Sequence, residues 1–216
     1  MGVQHPLKPG AALRLLASSG EIVVTAEERD DLDVEPPDRH VEMKDGGRTA
    51  EVKSRSGGLR VRCPRGTDVS IGVISGRVLL AGEFGSVKVS AVSGHIEIDS
   101  ASGDVDVRSV SGHLSVNTCA GRCQLNTKSG SIRIGHVEKA ARVSTLSGSV
   151  ELGTAGEEEV EVKSISGGIT VRVAEGKRPH IRVRTLSGKL RCECPQGTDF
   201  DIKASTFSGS IEVTGP

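Results

Sequence analysis

The stretch Ser102-Gly103-Asp104-Val105-Asp106-Val107-Arg108-Ser109-Val110-Ser111-Gly112-His113-Leu114-Ser115-Val116 decides how the chain is read. Two and four residues after each Ser-Gly comes an aliphatic side chain: Val105 and Val107 after Gly103, Leu114 and Val116 after Gly112. That alternation has the period of a strand, and β-branched residues suit its pleated surface. Glycine takes the positive φ of a tight turn without a Cβ penalty, so Ser-Gly punctuates the strands. The pattern runs outward at a spacing of nine through Gly76, Gly85, Gly94, Gly103, Gly112, Gly121 and Gly130, and Gly148 follows eighteen further on. The pairs Val87/Val89, Ile96/Ile98, Ile132/Ile134 and Val150/Leu152 keep step with it.

A lag of eighteen matches better than a lag of nine. The phrase [Ser/Thr]-x-Ser-Gly starts at Ser109, Thr127, Thr145, Ser164, Thr185 and Thr206, and x is Val110, Leu146, Ile165, Leu186 or Phe207, with Lys128 as the exception. In the intervening half-repeats that place holds the softer Ala101, Cys119 and Ala155, with Val137 breaking the pattern. Two strands and two turns therefore form one unit. An antiparallel sandwich could host such strands, but its hairpin loops tolerate length changes that strictly spaced glycines do not show. A β-solenoid requires the strict spacing. Each coil stacks on the last at about 4.8 Å, and a one-residue slip would turn the apolar set outward. The expected fold is all-β, a solenoid with coils of about eighteen residues, each of two short strands.

The ends depart from the rhythm. Residues 1–50 contain the charged stretch Glu27–Asp33 and Pro36-Pro37, with strand-like pieces at Glu21–Ala26 and Thr49–Lys53. The whole chain, 1–216, is expected to form one solenoid domain, in which 1–50 is an irregular start and cap and 51–214 are the repeats. Spacing widens to twenty-one from Gly167 to Gly188 and again to Gly209, which predicts protruding loops at Ala174–Pro179 and Pro195–Thr198. The final repeat, Ser208–Val213, ends three residues before Pro216 and leaves nothing to cap the last strand.

Cys63-Pro64-Arg65-Gly66-Thr67-Asp68 answers Cys194-Pro195-Gln196-Gly197-Thr198-Asp199, and each leads into an apolar strand and another Ser-Gly. This phrase, with Ser19-Gly20-Glu21-Ile22-Val23-Val24 near the start, resembles the bacterial "putative adhesin" family of strand repeats, the toastrack domain, over about residues 12–214. The resemblance implies a single-stranded, right-handed, β-helix-like fold. It also implies an assembly or sensing module tied to envelope stress and attached to membrane segments. It supplies no catalytic residues to carry over.

Composition excludes several classes. Lys+Arg and Asp+Glu are both 28, so no basic surplus supports nucleic-acid binding. Aromatic residues are 1%, with no Trp or Tyr, which removes the stacking platforms of single-strand and sugar binders. No run of eighteen apolar residues spans a membrane. The one early apolar stretch, Ala11–Ala17, is broken by Arg14, and Pro6 occupies the Ser/Thr place of a myristoylation signal. Five cysteines without a leader predict free thiols in a reducing compartment, and hence a cytoplasmic protein that meets a membrane only through a partner.

Candidate chemistry is sparse. Nucleophile-elbow, dinucleotide, P-loop and zincin signatures are missing, and turn geometry explains the serines. Cys63, Cys119, Cys123, Cys192 and Cys194 all fall on inward positions, as small buried hydrophobes do. His95 and His113 stand eighteen apart and should stack on an exposed column, with Arg77 above and Ser131 below instead of a third ligand. Only Ser102-Gly103-Asp104-Val105-Asp106 resembles a calcium-roll unit. The Ser/Thr column is expected to bond to turn backbone, and outward charges such as Glu97, Arg133, Glu151 and Arg191 to form a solvated face. No catalytic, cofactor or metal residue is assigned. The expected function is a non-catalytic interaction or assembly module, binding a protein partner or itself by end-to-end strand stacking. The rivals are a polysaccharide-binding or polysaccharide-acting β-helix, with Asp104 and Asp106 on its face, and a secreted adhesin.

Overall fold

The computed structural model describes residues 3–7, 10–55, 58–154, 159–173, 180–193 and 201–214, and no helix occurs among them. The N-terminal end is built from β1 (Val3–Pro6), β2 (Ala12–Glu27), β3 (Asp31–Glu35), β4 (Val41–Lys44), β5 (Thr49–Ser54) and β6 (Leu59–Pro64). Three long strands follow, β7 (Asp68–Phe84), β8 (Val87–Ala101) and β9 (Val105–Cys119). Then come the pairs β10 (Cys123–Ser129) and β11 (Ile132–Val137), β12 (Ala141–Ser147) and β13 (Val150–Thr154), and β14 (Glu159–Ser166) and β15 (Ile169–Val173). The last rungs are β16 (His180–Glu193) and β17 (Asp201–Thr214).

Apart from β1, β3 and β4, these elements stack in parallel as a β-solenoid of about seven turns with a spacing near nineteen residues. Val87 lies beside Val105, Val105 beside Cys123 and Cys123 beside Ala141, each step being eighteen. The step becomes nineteen from Ala141 to Val160, then twenty-one from Val160 to Ile181 and from Ile181 to Ile202. Register is kept while the connections lengthen. The loops expected at Ala174–Pro179 and Pro195–Thr198 lie outside the described residues. One expectation needs refining: β2, β7, β8, β9, β16 and β17 are single bent strands, not pairs of short ones. A Ser-Gly corner reverses the in/out alternation without interrupting the hydrogen bonds to neighbouring rungs.

The inward column explains the cohesion. Val107, Leu125, Val143 and Val162 are fully buried one above another, and on the other wall of the coil so are Ile134 and Leu152. Each such side chain contributes about 1.5–3 kcal/mol relative to exposure. Among the described residues only Phe84, fully buried, brings an aromatic ring into this aliphatic core.

The N-terminal end is threaded. Within the stretch expected to start and cap the coil, β2 forms a complete rung lying between the β5–β6 rung and β7. Leu15 faces Val52 on one side and Ile71 on the other, and Val24 faces Val61 and Leu80. The outermost rung, β5–β6, is then covered by antiparallel strands, β4 on β5 and β3 on β6, with β1 on β3. Part of the charged stretch is thus a strand. Leu32 and Val34 alternate inward, while Asp31 takes Arg29 at 2.8 Å and Asp33 takes Arg62 at 3.0 Å.

Candidate functional site

The corner at each x-Ser-Gly of this column, with Ser or Thr before x from Ser109 on, is the most repeated feature of the surface. Gly20, Gly76, Gly94, Gly112, Gly130, Gly148, Gly167, Gly188 and Gly209 all have positive φ. Register stacks them; Gly76 faces Gly20 and Gly94, and Gly94 faces Gly112. A Cβ on Gly130, at φ 124°, would stand 1.8 Å from the Gly112 carbonyl oxygen, so no side chain fits. Beneath the corner a hydroxyl braces the turn. Ser109, Thr127, Thr145 and Thr185 are buried and donate to the carbonyl oxygens of Ser111, Ser129, Ser147 and Ser187 at 3.1–3.3 Å, as expected of hydroxyls serving turn backbone. Ser164 Oγ and Thr206 Oγ1 hold the same place without a partner.

The residue just before each Ser-Gly of this column points outward. Ile74, Val92, Val110, Leu146, Ile165, Leu186 and Phe207 form a single file along the rod, exposed from 41% at Val110 to 89% at Phe207. Lys128 occupies its fourth place. The equivalent residues of the opposite corner, Ala101, Cys119 and Val137, are buried. Sequence spacing found this column, and its outward direction follows from parity: with residues 105, 107 and 109 inward, residue 110 must face out. At the flanking register positions stand Arg108, Lys163 and Arg184 on one side and Arg77, His95, His113 and Lys189 on the other, with Ser, Asn and Gly between them. From β7 to β17 neither flank holds an acid; on the β2 rung Glu21 stands beside Arg77.

The broad faces differ. Arg133 reaches Glu151 at 3.1 Å, Arg172 bonds Glu151 and also Glu193 at 2.8 Å, and Arg191 meets Glu212 at 3.1 Å. Arg172 and Arg133 hold the Glu151 carboxyl below its usual range, and Lys163, with Arg142, does the same for Glu161. Each pair is exposed on at least one side and contributes at most about 1 kcal/mol.

The sequence-selected groups are all engaged locally. His95 and His113 stack with ring centroids 5.8 Å apart; His113 bonds Ser131, and His95 lies 3.7 Å from Glu97. Among the described residues no three His, Cys, Asp or Glu side chains converge as a metal cage. Asp104 accepts the Arg122 backbone N–H at 2.8 Å, and Asp106 pairs with Arg108 at 3.3 Å, so this acidic corner serves the fold. Cys63, Cys119 and Cys123 are buried free thiols and Cys192 is buried; Cys194 lies outside the described residues. Burial pushes the Cys63 thiol up to about 11, whereas its bond to Cys119 and burial together raise Cys123. A surface groove of about 540 Å³ is lined by Val23, Leu79, Leu80, Ala81, Glu97, Ile98, Asp99, Ser115 and Asn117, without an aromatic platform.

At the far end, β17 pairs with β16 alone among the described residues. Leu190 and Cys192 are buried, but Ile211 and Val213 beside them are 44% and 55% exposed.

A parallel solenoid with stacked Ser-Gly corners defines a β-strand repeat protein. The family model Toastrack DUF4097 matches residues 10–159 and 117–215, overlapping as a repeat should. The chain belongs to this family. A similar solved structure is a "putative adhesin" from Parabacteroides distasonis, 13% identical, covering 99% of this chain and 96% of that one with a TM-score of 0.64. Another, from Parabacteroides merdae, is 13% identical with coverages of 99% and 95% and a TM-score of 0.60. A third, from Bacteroides fragilis, is 15% identical with coverages of 99% and 96% and a TM-score of 0.55. These likenesses concern the fold. No curated protein matches the chain.

Proposed function

We propose that this protein is a non-catalytic interaction and assembly module whose last rung takes up a strand from a partner or a second copy. The open edge of β17 carries this reading. Its N–H and C=O groups on the side away from β16, which no described strand pairs, stand next to the half-exposed Ile211 and Val213 and form a template for strand addition. The name "putative adhesin" given to the similar structures supports a role in contact with other molecules. Buried free thiols support a reducing, cytoplasmic location, which fractionation of the source cells tests. Ile211→Pro removes a ladder donor and should abolish any oligomer while sparing the distant rungs. Light scattering that shows a monomer at high concentration, with no partner recovered, refutes the reading.

A further inference from the structure

The outward file of aliphatic residues is a convex ridge, one residue wide, on the corner of the rod. Eight rungs at the strand-stacking distance give it a length of about 34 Å. Its exposed apolar area is on the order of 500 Å², comparable to the largest patches of ordinary monomers, which are often functional. Elsewhere along the rod, charges pair across rungs. On the ridge's flanks they do not: Arg77, Lys128, Arg184 and Lys189 have no ion pair among the described residues. Arg108 and Lys163 pair outward, with Asp106 and Glu161, on the side away from the ridge.

From these observations we infer that the ridge docks directly on an anionic lipid surface. The order of chemistry across the ridge is apolar at the crest and cationic on both shoulders. That is the order a monolayer presents in reverse, acyl chain beneath and phosphate above. Lys128 interrupts the crest with a side chain long enough to lift its ammonium to phosphate level while its methylenes stay in apolar contact. A second copy of the chain is a poor occupant, because two such ridges would bring cationic shoulders together. A protein groove is a poorer one than lipid: the ridge falls short of the roughly 800 Å² per partner of stable protein interfaces, and a convex line one residue wide offers no pocket.

The experiment is co-sedimentation of the full chain with phosphatidylcholine vesicles and with vesicles one-third phosphatidylglycerol, at low and at physiological salt. Binding should be confined to the anionic vesicles and weaken with salt. Replacing Leu146 and Leu186 together by Ser should lower the partition coefficient about tenfold or more. Lys128→Glu with Arg184→Glu should lower it by a similar factor, an independent check should the Ser variant fold poorly. Thermal unfolding of the charge variant should match the parent, since both side chains are exposed. Ile211→Pro should bind vesicles as the parent does, which separates this proposal from strand addition at the last rung. Three results overturn it: no binding to anionic vesicles at low salt, binding indifferent to the Leu substitutions, or loss by those substitutions of an acidic protein partner with no vesicle binding at all.

Discussion

The two ends of the rod treat the same rung position in opposite ways. Leu59 and Val61, on the outermost N-terminal rung, are 0% and 1% exposed; Ile211 and Val213, at matching places on the last rung, are 44% and 55% exposed. The difference lies in what crosses the rung. At the N-terminal end β3 and β4 turn antiparallel and lay Leu32 and Val34 over the core. At the other end the parallel ladder simply stops with β17 among the described residues. A parallel stack cannot finish itself, because each rung needs another below it. An antiparallel strand ends the series because its far face can be polar.

The sharpest way to break the comparison is to place one charge at both ends. Val61→Asp buries an unpaired carboxylate and should cost about 4 kcal/mol or more, whereas Val213→Asp should stay within about 1 kcal/mol in chemical denaturation. Equal costs would mean that the last rung is covered in solution. Next comes the glycine column. Gly130→Ala, wedged between rungs, should lose about 3 kcal/mol, while Gly209→Ala should lose about 1 kcal/mol because its rung can shift toward its open side. Matching losses in thermal melts would show that the last rung is held as firmly as the middle.

Acid should act on one end only. Lys44 and Lys53 hold the Glu51 carboxyl down at about 2; the 2.7 Å bond from Lys44 ties β4 to β5, while Lys53, 3.0 Å away, stands on β5 itself. A carboxylate with a depressed folded pKa contributes stability that is full above its ordinary value near 4.3 and fades as pH falls toward 2. Amide exchange at Met43 and Ala50 should therefore accelerate across that window before the middle rungs respond. In Glu51→Gln this acid step should be missing. The smallest effect belongs to the histidine column: His95→Ala and His113→Ala should each change stability by no more than about 0.5 kcal/mol, measured by melting.

How far the residues announce this structure varies along the chain. From Gly76 to Gly148 the regular glycines and two-residue alternation state the register outright, and the structure keeps it. The threading of β2 is silent in sequence. Its Leu13, Leu15, Ile22 and Val24 have the same alternation whether their neighbours come from residues 49–64 or 68–84. Acidic residues hide β3, since Leu32 and Val34 alternate among Asp31, Asp33 and Glu35, and Arg62 reaches the last two only after folding. The ridge was visible as a column, but hydrophobic character alone suggests burial; only the parity set by the inward residue before it, Val73, Ala91 or a hydroxyl from Ser109 on, turns it outward. Chemistry was least visible because the selected His and Asp residues are held by their neighbours.

The threaded first rung also sets an order of assembly. Most rungs meet partners eighteen to twenty-one residues away, but Gly20 faces Gly76 across fifty-six residues of chain. Low sequence separation favours early contact, so the middle of the rod is the natural nucleus and the N-terminal closure completes late. On the ribosome β2 emerges before either of its neighbours exists. Until residues 49–64 follow, that rung has two bare edges, and until residues 68–84 follow it keeps one, the condition in which strand proteins are most open to mispairing and to chaperones.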